Sequence, residues 1–178
     1  MRIARRSVPV AAEFGANGLA FIESHHGEGF FMDWRSDAYP KILLVAGGAG
    51  KLLAGRRVFA VRAGACCIVP AAERQRREDA VGRPMSIYGV GIGDVVFPSR
   101  ELIERACGGV RVERSTPRVE LFERDLRAML VELRNPRRES SELQLALLAR
   151  VLVEFGASGR QADAAVSDAA QRVSEYAA

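Results

Sequence analysis

Few residues of this sequence are of a kind that does chemistry. His25 and His26 are adjacent, as are Cys66 and Cys67, while Cys107 stands alone; no Ser/His/Asp arrangement or cysteine nucleophile signature accompanies them. Neighbouring residues of a strand point to opposite faces, so two adjacent imidazoles cannot close on one ion from an extended segment. His26 with Glu28, or with Asp33, is the one combination that would merit a metal assay. The three cysteines form neither an even disulfide framework nor a Cys-x-x-Cys pair, and within apolar runs they read as buried thiols. The glycines of AGGAG (Ala46 to Gly50) turn between strands instead of opening a helix, which makes them unsuited to cradle a phosphate. The sequence therefore predicts no catalytic residue, no metal and no cofactor.

Binding groups are better represented. Trp34 can serve as an apolar wall, Arg35 as a fork for a carboxylate or hydroxyl, Gln75 as a neutral hydrogen-bonding group and Tyr88 as an amphipathic lid. Together they would make a pocket for a small polar molecule. Strand alternation sends only some of them inward, and a slip of one residue exchanges the faces. Each taken alone is equally an outward charge or a core aromatic.

The elements that must position these groups follow from the spacing. From Leu19 to Ile92 the chain runs as short apolar segments: LAFIES (Leu19 to Ser24), FFMDWR (Phe30 to Arg35), KILLVA (Lys41 to Ala46), GKLLAG (Gly50 to Gly55), RVFAVR (Arg57 to Arg62), ACCIVP (Ala65 to Pro70) and MSIYGVGI (Met85 to Ile92). Gln75 and Arg77 fall on another strand. Glycines and Pro84 punctuate them, as turns require. Strands this frequent, with no helical pattern between them, predict a sandwich or barrel and not a parallel βαβ sheet.

After Val96 the period changes. Pro98-Ser99 and Thr116-Pro117 are helix starts, and Val119, Phe122, Leu126, Met129, Leu130 and Leu133 recur at spacings of three and four before Asn135-Pro136 ends the run. The next helix begins near Ser141, with Gln144 placed to complete a capping box, and runs to about Phe155. It is apolar on most of its circumference, so Leu145, Leu148, Leu152 and Phe155 are expected to pair two copies of the chain; a helix wholly enclosed in its own monomer is the alternative. The organisation predicted is an N-terminal arm over 1–18, a β-barrel over 19–97, a helical dimerisation region over 98–156, and over 157–178 a linker and the start of a further region.

Composition limits the partners. With 48% hydrophobic and 27% charged residues the chain has the balance of a folded protein, and no apolar stretch approaches the roughly 18 residues of a membrane span. The basic start, Met1 to Arg6, is followed by a run broken at Pro9 and too short for a secretory signal, which points to the cytoplasm. The net charge of +4 is spread in pairs such as Arg56/Arg57 and Arg76/Arg77, each balanced by nearby acids, and is not gathered as on a nucleic-acid surface.

The run YPKILLVAGGAGKLLAGRRVFAVRAGACCIVPAAERQRRED (Tyr39 to Asp79) resembles the core of the cupin domain at the amino terminus of AraC-type transcription regulators. SIYGVGI (Ser86 to Ile92) and the leucine-rich helix pair are similar to the strand and helices beyond that core in the family, and QRVSEYAA (Gln171 to Ala178) resembles the lead-in to its helix-turn-helix domain. The resemblance implies a fold that is mainly β with C-terminal helices, a cupin-like double-stranded β-helix barrel followed by a helix pair. It also implies a small-molecule effector in the barrel, a homodimer formed by the helices, and DNA contact only through a carboxyl-terminal domain beyond this chain. Metal-dependent enzymes are the rival within the cupins. Their usual spacing would place the histidines and acid near Trp34 to Lys41 and a later histidine near Gln75 or Arg76, where this sequence has none of those histidines. A ligand-free structural module, its barrel filled by side chains, is the third reading.

Overall fold

A computed structural model of the chain describes residues 12–95, 98–114 and 116–157. Nine strands and three helices are formed among the described residues. They are β1 (Leu19–His25), β2 (Phe31–Arg35), β3 (Lys41–Gly47), β4 (Ala49–Ala54), β5 (Arg57–Arg62), β6 (Ala65–Val69), β7 (Gln75–Asp79), β8 (Ser86–Ile92), α1 (Arg100–Cys107), β9 (Arg111–Arg114), α2 (Pro117–Arg134) and α3 (residues 140–157). All strand pairs are antiparallel and make two sheets, one in the order β1-β8-β3-β6-β9 and the other in the order β2-β7-β4-β5. The fold is mainly β with the helices at its C-terminal end, as the sequence predicts. Most of the expected arm and the tail after residue 157 lie outside the described residues.

The five-stranded sheet is buried on both faces, which is why KILLV in β3 and ACCIV in β6 read as continuous apolar runs rather than alternating ones. Ile42, Leu44, Ile68, Val90 and Ile92 point to the helices and meet Val119, Phe122, Leu126 and Met129 of α2 and Leu148, Leu152 and Phe155 of α3. Leu43, Val45, Cys67, Val69 and Ile87 point the other way and meet Leu52, Ala54 and Val61 of the second sheet. Each buried Leu, Val or Ile contributes about 1.5–3 kcal/mol, so these two layers hold the sheets and helices together. Gly48, at φ +76°, makes the β3–β4 turn; a Cβ there would come 2.1 Å from the Pro84 carbonyl oxygen.

The helix starts are as the sequence predicts. Ser99 Oγ accepts from Leu102 N, and Thr116 Oγ1 accepts from Val119 N with Pro117 in the first turn. Two expectations need correction. The stretch before α2 is not wholly helical, because β9 extends the five-stranded sheet along β6. Nor does Gln144 close a capping box: its side chain is buried, donates to the Met129 carbonyl at 3.1 Å and accepts from Asn17 Nδ2 at 2.7 Å, linking α3 to α2 and to the chain before β1. Asp125, buried on α2, accepts from Arg150 Nε of α3 at 2.8 Å and fixes the helix pair from the other side.

Candidate functional site

A polar layer interrupts the apolar interior between the sheets, where β3 and β7 begin. On β3 the residues facing the second sheet are Lys41, Leu43 and Val45, so alternation brings a lysine into line with two core residues. On β7 the inward residues are Gln75 and Arg77, opposite Ala54 and Leu52 of β4. A register shift in β2 between Met32 and Arg35 places Met32 opposite Arg77 and Arg35 opposite Gln75, so both project to the same side although they are three residues apart. Asp37, in the loop between β2 and β3, stands at the centre. Its backbone carbonyl accepts from Ala72 N at 2.7 Å, and its carboxylate accepts from Arg35 on one oxygen and from Lys41 and Gln75 Nε2 on the other, the last at 3.1 Å.

The balance of charge in this layer is uneven. Arg35 and Lys41 share Asp37, Arg77 stands nearby without a bond to it, and the Asp79 carboxylate is already engaged by His26 Nδ1 at 2.8 Å and Met85 N at 2.9 Å. Burial opposes ionisation of Asp37, but the Lys41 and Arg35 bonds together outweigh it and hold its carboxyl below the ordinary value. Lys41 moves the opposite way for a pair of bonded partners. Burial pulls it down to about 8, and the field of Arg77 and Arg35 adds to that fall against the help of Asp37. Asp37 is held down by its two bonded cations, while Lys41 falls chiefly because it is buried, and its share of one carboxylate does not make up the loss.

Arg77 is the least satisfied member. Its Nη2 reaches only the Met32 sulfur, at 3.2 Å, while Nε and Nη1 are shielded from solvent and have no hydrogen-bond partner among the described residues. The residue as a whole is half-buried, but those two nitrogens are closed off from solvent. Burial pushes its guanidinium below the ordinary value. Gln75 is fully buried, and its Oε1 likewise has no partner. Unpaired donors and acceptors of this kind cost about 1–3 kcal/mol each and are rare inside a folded protein.

Of the residues that the sequence offers as binding groups, the structure brings Arg35 and Gln75 together and separates the other two. Trp34 lies at the register shift of β2, is 37% exposed, and is covered by the Arg74 guanidinium 5.1 Å from its ring centre. Tyr88 shares the face of β8 that packs on the helices, and its hydroxyl is 3.4 Å from His25 Nε2. Asp37 and Lys41 are absent from that sequence-based set, though Lys41 at the head of KILLV carries a signal as one of only two lysines in the chain. Leu148, Leu152 and Phe155 are enclosed against the sheet and α2 within a single chain, and Leu145 packs at the margin of the same core. On α3 the exposed apolar residues are Leu143 and Val153.

His25 and His26 diverge. His25 is exposed beside Glu23 and Ser86, whereas His26 is buried with Asp79 and stacks on Phe30. Among the described residues no three His, Cys, Asp or Glu side chains converge as a metal site. The three thiols are free and buried, and burial pushes Cys67 and Cys107 up to about 12 and Cys66 well above its ordinary value. None of the described helices is long and apolar enough to cross a membrane.

No family model matches the sequence, and no curated protein is similar to it. Solved structures are similar in fold. The AraC-like transcriptional activator CuxR superposes on 79% of this chain with a TM-score of 0.59 at 15% identity, and ToxT K231A from Vibrio cholerae on 80% with a TM-score of 0.54 at 9% identity. A cupin 2 conserved barrel domain protein from Salinispora arenicola CNS-205 superposes on 48% of this chain and 70% of its own, at 13% identity and a TM-score of 0.40. The chain spans 52% of the CuxR chain and 56% of the ToxT chain. Its two antiparallel sheets and C-terminal helices thus form the fold that CuxR, an AraC-like transcriptional activator, has over the matching half of its length.

Proposed function

We propose that this chain is the effector-sensing and dimerising portion of an AraC-type transcription regulator of the cytoplasm, with no catalytic activity and no bound metal. The observation that carries the proposal is the layer of Arg35, Asp37, Lys41, Gln75 and Arg77 between the sheets. A barrel filled only for stability would have aliphatic side chains there, because replacing a buried ion pair by well-packed apolar residues is usually neutral or stabilising. A polar guest accounts for the layer. Its binding would alter how two paired subunits present a DNA-binding region outside this chain, provided that it prefers one arrangement of them.

Pairing through the helical side is part of the proposal. Leu148, Leu152 and Phe155 do not supply that surface, since they belong to the core of one chain; Leu143 and Val153 remain available on α3. A thermal-shift screen with sugars, amino acids, carboxylates and aromatic acids tests the sensing claim, because a ligand that binds only the folded state raises the melting temperature. A saturable rise with one class is expected. Stoichiometric iron, manganese or zinc in the purified protein, with no response to any metabolite, would replace the sensor by a metal-dependent enzyme.

A further inference from the structure

Resting on the sensing proposal, we infer that the guest is a small hydroxylated organic anion, its acidic group held by Arg77 and a neighbouring hydroxyl donating to Gln75. Three cations and two carboxylates face the interior; both oxygens of Asp37 are taken by Arg35, Lys41 and Gln75, and Asp79 is engaged by His26 and Met85 N, so the cations remain in excess. The group that is missing is therefore negative. Arg77 offers Nε and Nη1, two unmet donors on different edges of the guanidinium, each able to donate to an oxygen of an acidic group beside it.

Gln75 specifies the second feature. An ionised carboxylate only accepts, so the amide nitrogen must face Asp37 and the amide oxygen must face away from it. That oxygen is buried without a donor. Gln75 and Arg77 lie two residues apart on one face of β7, about 7 Å along the strand. A ligand that satisfies both carries a hydrogen donor within a few bonds of its acidic group. A plain anion leaves Gln75 unpaired, and a neutral sugar leaves Arg77 unpaired.

The layer is within reach of solvent. Arg35 keeps 25% of its side chain exposed at the edge strand β2. The charges of Asp37, Arg35 and Arg77 also act on the Tyr39 hydroxyl, and Tyr39 forms a wall of a cleft of about 750 Å³ lined further by Phe14, Pro40, Pro70 and Ile103. The loop that carries Asp37 borders this cleft through Ala38, Tyr39 and Pro40.

Paired probes separate the two features: malate against succinate, glycerol 3-phosphate against inorganic phosphate, and glucose as the neutral polyol, each followed by thermal shift and titration calorimetry. The expected result is that malate or glycerol 3-phosphate binds roughly tenfold or more tightly than its partner lacking the hydroxyl. Arg77→Met should weaken that binding roughly tenfold to a hundredfold, and Gln75→Met should erase the preference for the hydroxylated probe. Arg77→Lys, which keeps the charge, serves if the methionine variant fails to fold, and it should bind more weakly than wild type because the fixed planar donors are lost. Binding of glucose that survives Arg77→Met would overturn the anion assignment while leaving the sensing proposal intact. Shifts that follow ionic strength alone and persist without Arg77, an adventitious ion only, overturn it as well. So does the absence of any response to all four anions, and if the wider metabolite screen is also silent the sensing proposal falls with it.

Discussion

Replacing Arg77 by methionine should stabilise the ligand-free protein. Nε and Nη1 are removed from water and have no partner among the described residues, and the remaining nitrogen touches only the Met32 sulfur. Each unmet donor costs about 1–3 kcal/mol. Methionine keeps an unbranched apolar stem of similar reach beside Met32 and removes the charge that depresses Lys41. Allowing for imperfect filling of the space left by the guanidinium, the net gain is about 1–3 kcal/mol. In a protein of this size that raises the melting temperature by roughly 2–10 °C. Urea denaturation followed by circular dichroism, without ligand, measures it. A loss of more than about 1 kcal/mol would show that the guanidinium is a structural tie and would refute the argument from its unmet donors. Such a gain at the expense of binding is the usual signature of a residue kept for function.

The same geometry has further measurable consequences. Lys41 loses its proton near pH 8 when folded but at about 10.5 when unfolded, so between pH 8 and pH 9 the unfolded chain holds the extra proton and Lys41 by itself adds about 1 kcal/mol of stability. Over the same range the three unfolded thiols, ordinarily at 9.0, begin to ionise while the buried ones do not, which offsets the Lys41 gain by about pH 9 and makes stability fall beyond it. By denaturation across this range, wild-type stability should pass through a shallow maximum near pH 8.5, while its excess over Lys41→Met grows by about 1 kcal/mol from pH 8 to pH 9; an excess that does not grow would contradict the assignment. Gly89→Ala should cost about 1–3 kcal/mol by chemical denaturation, because its Cβ would lie 2.5 Å from the Ile42 carbonyl oxygen and 2.7 Å from Leu43 Cδ2; a change within 0.5 kcal/mol, about the size of a neutral surface substitution, would count against that close strand approach. Leu152→Ala should cost about 2–5 kcal/mol without changing the mass in sedimentation, whereas Val153→Asp should leave stability nearly unchanged and weaken self-association; the reverse pattern would return Leu152 to the interface.

The barrel strands are legible in the sequence where apolar alternation and glycine turns coincide, and illegible where neither does. β7 is QRRED, whose inward positions are glutamine, arginine and aspartate, so the strand that supplies Gln75 and Arg77 to the candidate site has no hydrophobic period at all. β9 is four residues long with Val112 its one apolar residue, too short a pattern to stand out between two helices. The register shift in β2 turns Arg35 inward and leaves Trp34 outside, and no sequence rule announces a bulge at that position. Tyr88 sits on a strand buried on both faces, so its pattern cannot say which side is the interior. The leucine-rich α3 is apolar on several sides, as its sequence indicates, but the sheet and α2 of the same chain cover Leu148, Leu152 and Phe155. The residues that bind Asp37 come from three separate segments, and only folding reveals that they share one carboxylate.

The most direct measurement is the proton-detected nitrogen-15 spectrum of the arginine side chains, with the Arg77 Nε–H signal assigned by its loss in Arg77→Lys. If the interior layer seats an acidic guest, adding the best-stabilising hydroxylated anion shifts that signal and slows its exchange with water. A signal that stays in place while the melting temperature climbs would locate the guest elsewhere and contradict the account.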